Sequence, residues 1–363
     1  MAIKKMIYDN LILNNSIWNQ LQIMVQNNRL PHALIFHGPN GTGKEAHALE
    51  LCGLLNPNKK NNILQSPNIN LILPFPREKN ISKNSEAISA LSNKTLELLI
   101  NMKKDKMKYP YNNIQLEKAS SILINSIRDI KKNIHLYGVD LNQYRIHIIL
   151  EAEKLCYPKL EPGNALLKIL EEPPKNTIFI LITNKKEKII DTILSRCCEF
   201  YFPQLSEIET QKYLENLNCA LDNEQKNILS KIFHRDLKAI THAIENNINL
   251  EEIKKYAIDF VRDIMKDQNI KSHSETIEKM FRKEKEKFKI FIKITIFIFN
   301  DLEKVTGGYM EDCLIITNIN KIKDRDYMGC INIIEKTYEE LGKNLNPGIG
   351  LLAMIINLKQ LLI

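Results

Sequence analysis

The chain has 363 residues, 44% of them hydrophobic, with 51 Lys and Arg against 43 Asp and Glu for a formal charge of +8. That length asks for two or three domains and that hydrophobic share supplies real cores, which excludes a disordered or low-complexity protein. The modest positive balance suits a phosphate-bearing partner without requiring one.

In chain order, Met1-Ala2-Ile3-Lys4-Lys5 leads into polar residues with no apolar core of signal-peptide length. A first buried strand is predicted at His32-Ala33-Leu34-Ile35-Phe36-His37. It runs into Gly38-Pro39-Asn40-Gly41-Thr42-Gly43-Lys44, which follows the P-loop pattern up to its lysine. In that pattern, glycines let backbone N–H groups converge on phosphate oxygens at the opening of a helix, and the lysine neutralises their charge. Glu45 stands where a Ser or Thr hydroxyl should reach Mg²⁺; it also suits a first helical turn, where the helix dipole favours an acid. A helix is predicted from Glu45 to Leu55, with Ala46, Leu49 and Leu54 inward. Ser66 to Pro74 reads as a short buried strand bounded by prolines, and residues 77–118, rich in Asn, Lys and Ser, as an inserted helical excursion.

A further strand, Tyr144 to Leu150, ends in Glu151-Ala152-Glu153. In P-loop ATPases such a strand delivers the acid that holds Mg²⁺, and many motors add a glutamate that orients the attacking water. Glu151 takes the first position and Ala152 the second, which argues against efficient hydrolysis while leaving nucleotide binding open. Thr177 to Asn184 repeats the buried-strand pattern, and Asn184 by itself suits a turn after the strand. Ser195-Arg196-Cys197 follows a short charged helix. Arg196 by itself suits a helix C-terminus. Pro203 closes the strand pattern, and Ser206 with Glu209 forms a capping box. The predicted division is an α/β domain with a parallel sheet over residues 1–203, a small helical lid over 204–249 and an all-α domain over 250–363. The most apolar stretch, Phe288 to Phe299, carries Lys289 and Lys293 and is too short to span a bilayer, so no membrane contact is expected.

The seven cysteines, Cys52, Cys156, Cys197, Cys198, Cys219, Cys313 and Cys330, contain no C-x-x-C pair, which points to reduced thiols and a cytoplasmic setting. Structural zinc needs about four N or S ligands. Cys52 has no partners nearby in sequence, so no zinc is expected.

Asn164-Ala165-Leu166-Leu167-Lys168-Ile169-Leu170-Glu171-Glu172-Pro173-Pro174, followed by Ser195-Arg196-Cys197, resembles the clamp-loader branch of the AAA+ ATPases, as does Arg29-Leu30-Pro31-His32-Ala33. These segments cover much of residues 17–203. Within the branch, a defective ATP site beside a kept Ser-Arg-Cys is similar to bacterial delta-prime subunits of DNA polymerase III rather than to the gamma or tau motor. The resemblance implies that Arg196, with Ser195, acts as an arginine finger on a neighbouring subunit's ATP site. It further implies that Gly38, Gly41, Gly43, Lys44, Glu45 and Asn184 form a degenerate nucleotide site, with weak ATP or ADP binding at most and no cofactor required. Lys238 falls near a lid position where relatives carry a nucleotide-sensing arginine. Implied partners are the gamma/tau and delta subunits, primer-template DNA and, indirectly, the sliding clamp; the last domain would join a collar with the other subunits. Arg128, Lys131 and Lys132 resemble a helix that lies near the duplex, although such a charge run also suits a solvated helix face. The alternative function is an active AAA+ ATPase, either the motor subunit or a branch-migration helicase.

Overall fold

The computed structural model describes residues 6–57, 63–136, 143–217, 221–246, 248–309, 313–315, 325–341 and 346–363. The opening Met1-Ala2-Ile3-Lys4-Lys5 and Cys219 of the sequence reading lie outside the described residues. Contacts gather the chain into two units, Met1–Asn218 with Arg235–His242, and Cys219–His234 with Ala243–Ile363.

The first unit begins with α1 (Asn15–Gln26), whose first turn is capped by the Asn14 side chain accepting from the Ile17 amide. It continues through β1 (Ala33–His37), α2 (Lys44–Leu55), β2 (Ile69–Ile72), α3 (Asn93–Lys108), α4 (Ile124–Leu136), β3 (Arg145–Ile149) and α5 (Glu161–Glu171). After these come β4 (Thr177–Thr183), α6 (Asp191–Leu194), β5 (Cys198–Tyr201) and α7 (Glu207–Asn216). The strands form one parallel sheet in the order β2-β3-β4-β1-β5, with Leu34 opposite both Ile180 and Cys198 and Ile148 opposite Leu71 and Ile180. β3 and β4 are buried along their whole length, as apolar runs covered on both faces must be.

Side chains alternate across that sheet with period two. Leu34, Phe36, Ile148 and Ile180 enter one core with α2 and the 77–118 segment; Ile35, Ile149, Phe179 and Leu181 enter a second with α4, α5 and α6. The excursion over 77–118 thus contributes to the first core through Ala87, Leu91 and Leu99. That also changes the reading of α2: Leu54 is only half-buried, while burial runs nearly all round the helix. Because all five strands are parallel, the segments leaving β1, β3 and β4 emerge at one edge, where the candidate site is assembled.

The second unit is helical: α8 (Asn223–Ile232), α10 (Leu250–Met265), α11 (Ile270–Lys283), α12 (Lys285–Thr306), α13 (Tyr327–Leu341) and α14 (Pro347–Leu362). Between α8 and α10 lies α9 (Leu237–Glu245), whose residues up to His242 belong to the first unit. Within the second unit α12 packs against α8, α10, α11 and α13. Phe291 of α12 meets Phe260 of α10 edge-on at 5.4 Å. Asp301, fully buried, accepts the Leu314 amide at 3.0 Å and the Ile315 amide at 2.6 Å, which ties these two residues to α12. No helix of the described residues is long and apolar enough to cross a membrane.

Candidate functional site

The loop leaving β1 needs its glycines because other parts of the chain approach it closely. Gly38 has φ +135°, and a Cβ there would lie 2.1 Å from the Phe202 carbonyl oxygen. Gly41, at φ +70°, would meet Asp236 Oδ1 at 2.3 Å and the Leu237 amide nitrogen at 2.4 Å. The start of α9 therefore stands directly against the loop. Gly43, at φ +80°, caps α2.

Lys44, 7% exposed, turns its ammonium back onto the loop. It donates to the Gly38 carbonyl at 2.8 Å, to Thr42 Oγ1 at 3.3 Å and, at short range, to the Pro39 carbonyl. Burial pulls its pKa down to about 8, against the opposing pull of the Glu45 carboxylate. Thr42, the loop's own hydroxyl, donates to the Pro39 carbonyl at 3.1 Å.

Glu45 bridges two lysines from distant segments. Its Oε2 lies 2.7 Å from Lys106 Nζ of α3, and its Oε1 lies 3.2 Å from Lys238 Nζ of α9. Burial pushes the carboxyl upward, but Lys106 and Lys238 outweigh it and hold the pKa down at about 2. Lys106, 2% exposed, also donates to the Pro110 and Asn112 carbonyls at 2.9 and 3.0 Å. Sequence reasoning missed this residue, which sits in a run of lysines resembling a solvated face. It missed His47 as well: Nδ1 lies 2.8 Å from the Gly43 carbonyl while Nε2 accepts the Asn14 amide at 3.0 Å, so the ring is neutral. Burial lowers its pKa to about 4, and the ring links the entry of α1 to the loop.

At the end of β3, Glu151 adopts φ +49° and pairs with Lys154 at 2.7 Å, while Ala152 is fully buried in the second core. The next acid, Glu153, is buried and accepts the Thr183 hydroxyl at 2.6 Å, joining this turn to the end of β4. Asn184, one residue beyond β4, donates to Asn40 Oδ1 of the loop at 2.9 Å. The structure thus brings together Gly38, Gly41, Gly43, Lys44, Glu45, Asn184 and Lys238. Among the described residues, no three His, Cys, Asp or Glu side chains gather as a metal site requires.

Arg196 and Ser195 lie apart from the loop, after α6. Ser195 Oγ donates to the Thr192 carbonyl at 3.2 Å. Arg196 donates to the same carbonyl through Nη1 at 2.8 Å and to Glu171 Oε1 through Nη2 at 2.9 Å, with the arginine side chain 35% exposed. On α4, Lys131 and Lys132 are exposed and Arg128 is half-buried. Arg128 donates to the Lys83 carbonyl at 3.3 Å and Lys132 to the Asn84 carbonyl at 2.9 Å.

Residues 13–206, more than half of the chain, match the family model described as DNA polymerase III, delta subunit. The chain belongs to that family. Members of the clamp-loader group are its relatives more broadly. The tau subunit of DNA polymerase III from Bacillus subtilis is 23% identical across 97% of this chain and 61% of its own length. The gamma subunit from Buchnera aphidicola subsp. Schizaphis graminum is 36% identical over 38% of this chain and 40% of its own. The chain therefore spans less than two thirds of either relative. Among solved structures, a DNA polymerase III gamma-subunit-related protein from Thermotoga maritima aligns over 95% of this chain and all of its own, with TM-score 0.42 and 15% identity. The architecture of this member is a P-loop α/β domain on a parallel sheet, followed in sequence by a helical C-terminal region.

Proposed function

We propose that this chain is a delta-prime-like subunit of the bacterial DNA polymerase III clamp loader, helping to place the sliding clamp on primed DNA during replication. In this role it hydrolyses little or no ATP itself and presents Arg196 to the ATP site of a neighbouring gamma or tau subunit. Its partners would be the gamma/tau and delta subunits, primer-template DNA and, indirectly, the clamp.

The observation that carries this reading is the state of the phosphate loop. Lys44 is satisfied by the loop's own carbonyls, Glu45 is held in two ion pairs, and the water-orienting position is the buried Ala152. Phosphoryl transfer depends almost wholly on positioning and charge stabilisation, and each of these groups is committed elsewhere. The residues do not fit a nucleotide-bound Mg²⁺: the hydroxyl ligand is replaced by a carboxylate facing lysines, and Thr42 already bonds to Pro39. No cofactor is required on this reading, and no zinc; ATP or ADP would bind weakly at most. Arginine fingers in related phosphoryl-transfer systems contribute roughly 10³–10⁵ in rate, so a chain whose own loop is silent can still act through Arg196.

The second reading, an active motor ATPase, is favoured by the tau and gamma identity of the relatives. Glu45 and Ala152 oppose it. The test is ATP turnover by the purified chain, alone and with its motor partner. Negligible turnover alone is expected; robust turnover abolished by Lys44→Ala would overturn the scaffold reading.

A further inference from the structure

Arg196 is held in place by one acidic side chain. Glu171 is the last residue of α5, and Glu172 after it leaves the helical region ahead of Pro173-Pro174. A residue before proline is disfavoured in the helical conformation, so the end of α5 is fixed by sequence at this point. α5, which ends in Glu171, and α6, which ends two residues before Arg196, share a core: Ile169 and Leu170 of α5 and Ile193 of α6 are buried in the same cluster. Glu171 and Arg196 are thus mounted on rigid, mutually packed supports, although their side chains lie at the surface.

A guanidinium has five N–H donors. One goes to the Thr192 carbonyl at 2.8 Å and one to Glu171 Oε1 at 2.9 Å, and the remaining three have no acceptor among the described residues. Two anchors from different elements define the direction of a long side chain that would otherwise sample many rotamers.

We propose that Glu171 is a positioning residue for Arg196, orienting the guanidinium so that its unused edge projects from the domain toward the neighbouring ATP site. The proposal rests on the arginine-finger reading given above. Glu171 itself touches neither nucleotide nor phosphate; it acts through Arg196. A side chain that misses a transition state by about 1 Å loses up to roughly a hundredfold in rate, so such an anchor has a measurable effect.

The test uses the assembled loader, reconstituted with this 363-residue chain and stimulated by clamp and primed DNA. Four forms of the chain are compared: Arg196→Ala, Glu171→Ala, Glu171→Gln and the Glu171→Ala/Arg196→Ala pair. Arg196→Ala defines the fraction of ATPase that depends on the finger. Glu171→Ala is expected to remove more than about half of that fraction, through kcat and at unchanged KM for ATP. Glu171→Gln keeps an acceptor oxygen and is expected to restore most of it. In the Arg196→Ala background, Glu171→Ala is expected to do nothing further. Full activity of Glu171→Ala beside a defective Arg196→Ala would overturn the positioning role and leave the finger standing. A rise in rate for Glu171→Ala would overturn it too, since the acid would then be restraining the finger. Wild-type activity of Arg196→Ala would sink the finger reading itself, and the role of Glu171 with it.

Discussion

His147 lies within β3, fully enclosed, its ring stacked on Phe179 at 5.0 Å and neither nitrogen hydrogen-bonded among the described residues. Burial, aided by the charge of Arg145, lowers its pKa to about 3. With the folded value below the ordinary 6.5, the unfolded chain binds more protons between about pH 3 and 6.5, so stability is lost as pH falls through that window. His47 acts in the same direction, lowered to about 4, but its two hydrogen bonds give the neutral ring a structural role. His147 has no such compensation. His147→Leu should raise stability at pH 7 by about 1 kcal/mol, because it removes an unsatisfied buried polar group, and should flatten the loss between pH 6.5 and 5. Urea unfolding at the two pH values checks both effects; an unchanged pH slope would assign the acid sensitivity to other groups.

Among elements, α3 is the one whose role the sequence hid. The strands were legible because unbroken apolar runs such as Thr177-Ile178-Phe179-Ile180-Leu181-Ile182 admit few other placements, and the P-loop glycines announced the turn into α2. The capping box at Ser206 and Glu209 was equally legible, being local, and it is present. Lys106 carried no such signal: its partner Glu45 lies far away in sequence, and Lys103-Lys104-Asp105-Lys106 has the composition of a solvated surface. The available clue was Glu45 itself, an acid facing inward at the start of a buried helix, which needs a cationic partner. Glu45→Thr, which restores the P-loop consensus, should therefore cost about 3 kcal/mol by leaving Lys106 buried without its carboxylate. Adding Lys106→Met should recover most of that loss, since both partners are then removed together. Denaturant melts of the single and double variants measure the coupling; a loss below about 0.5 kcal/mol for Glu45→Thr would place the pair in the range of an ordinary surface contact. Restoring the second consensus group is obstructed by packing, because a glutamate at position 152 would enter the core around Leu155 and Ile193.

For the whole molecule, the excess charge of +8 invites a nucleic-acid reading that the placement of individual cations tempers. The segment from Ser82 to Ser85 is fastened across α4: Asn125 Nδ2 donates to the Ser82 and Ser85 carbonyls at 3.0 and 2.7 Å, and Arg128 and Lys132 donate to Lys83 and Asn84. Two of the three basic residues singled out on this helix thus already have acceptors. An exchange of one acceptor for a phosphate gains less than a free cation would, so the isolated chain should neutralise few phosphates. Each neutralised phosphate contributes a slope of about −0.9 to the dependence of log affinity on log salt concentration. The isolated chain should accordingly bind primed duplex DNA weakly, with a slope no steeper than about −3, most of it from Lys131 and scattered surface lysines. Asn125→Ala, by releasing the Ser82–Ser85 segment from α4, should free Arg128 and Lys132 and steepen the slope by about 1 to 2. Fluorescence anisotropy of a labelled primer-template across a salt series reads both numbers. A wild-type slope near −6 would mean that the phosphates are met on another face of the chain, and an unchanged slope in Asn125→Ala would show that the carbonyl contacts do not hold these cations back.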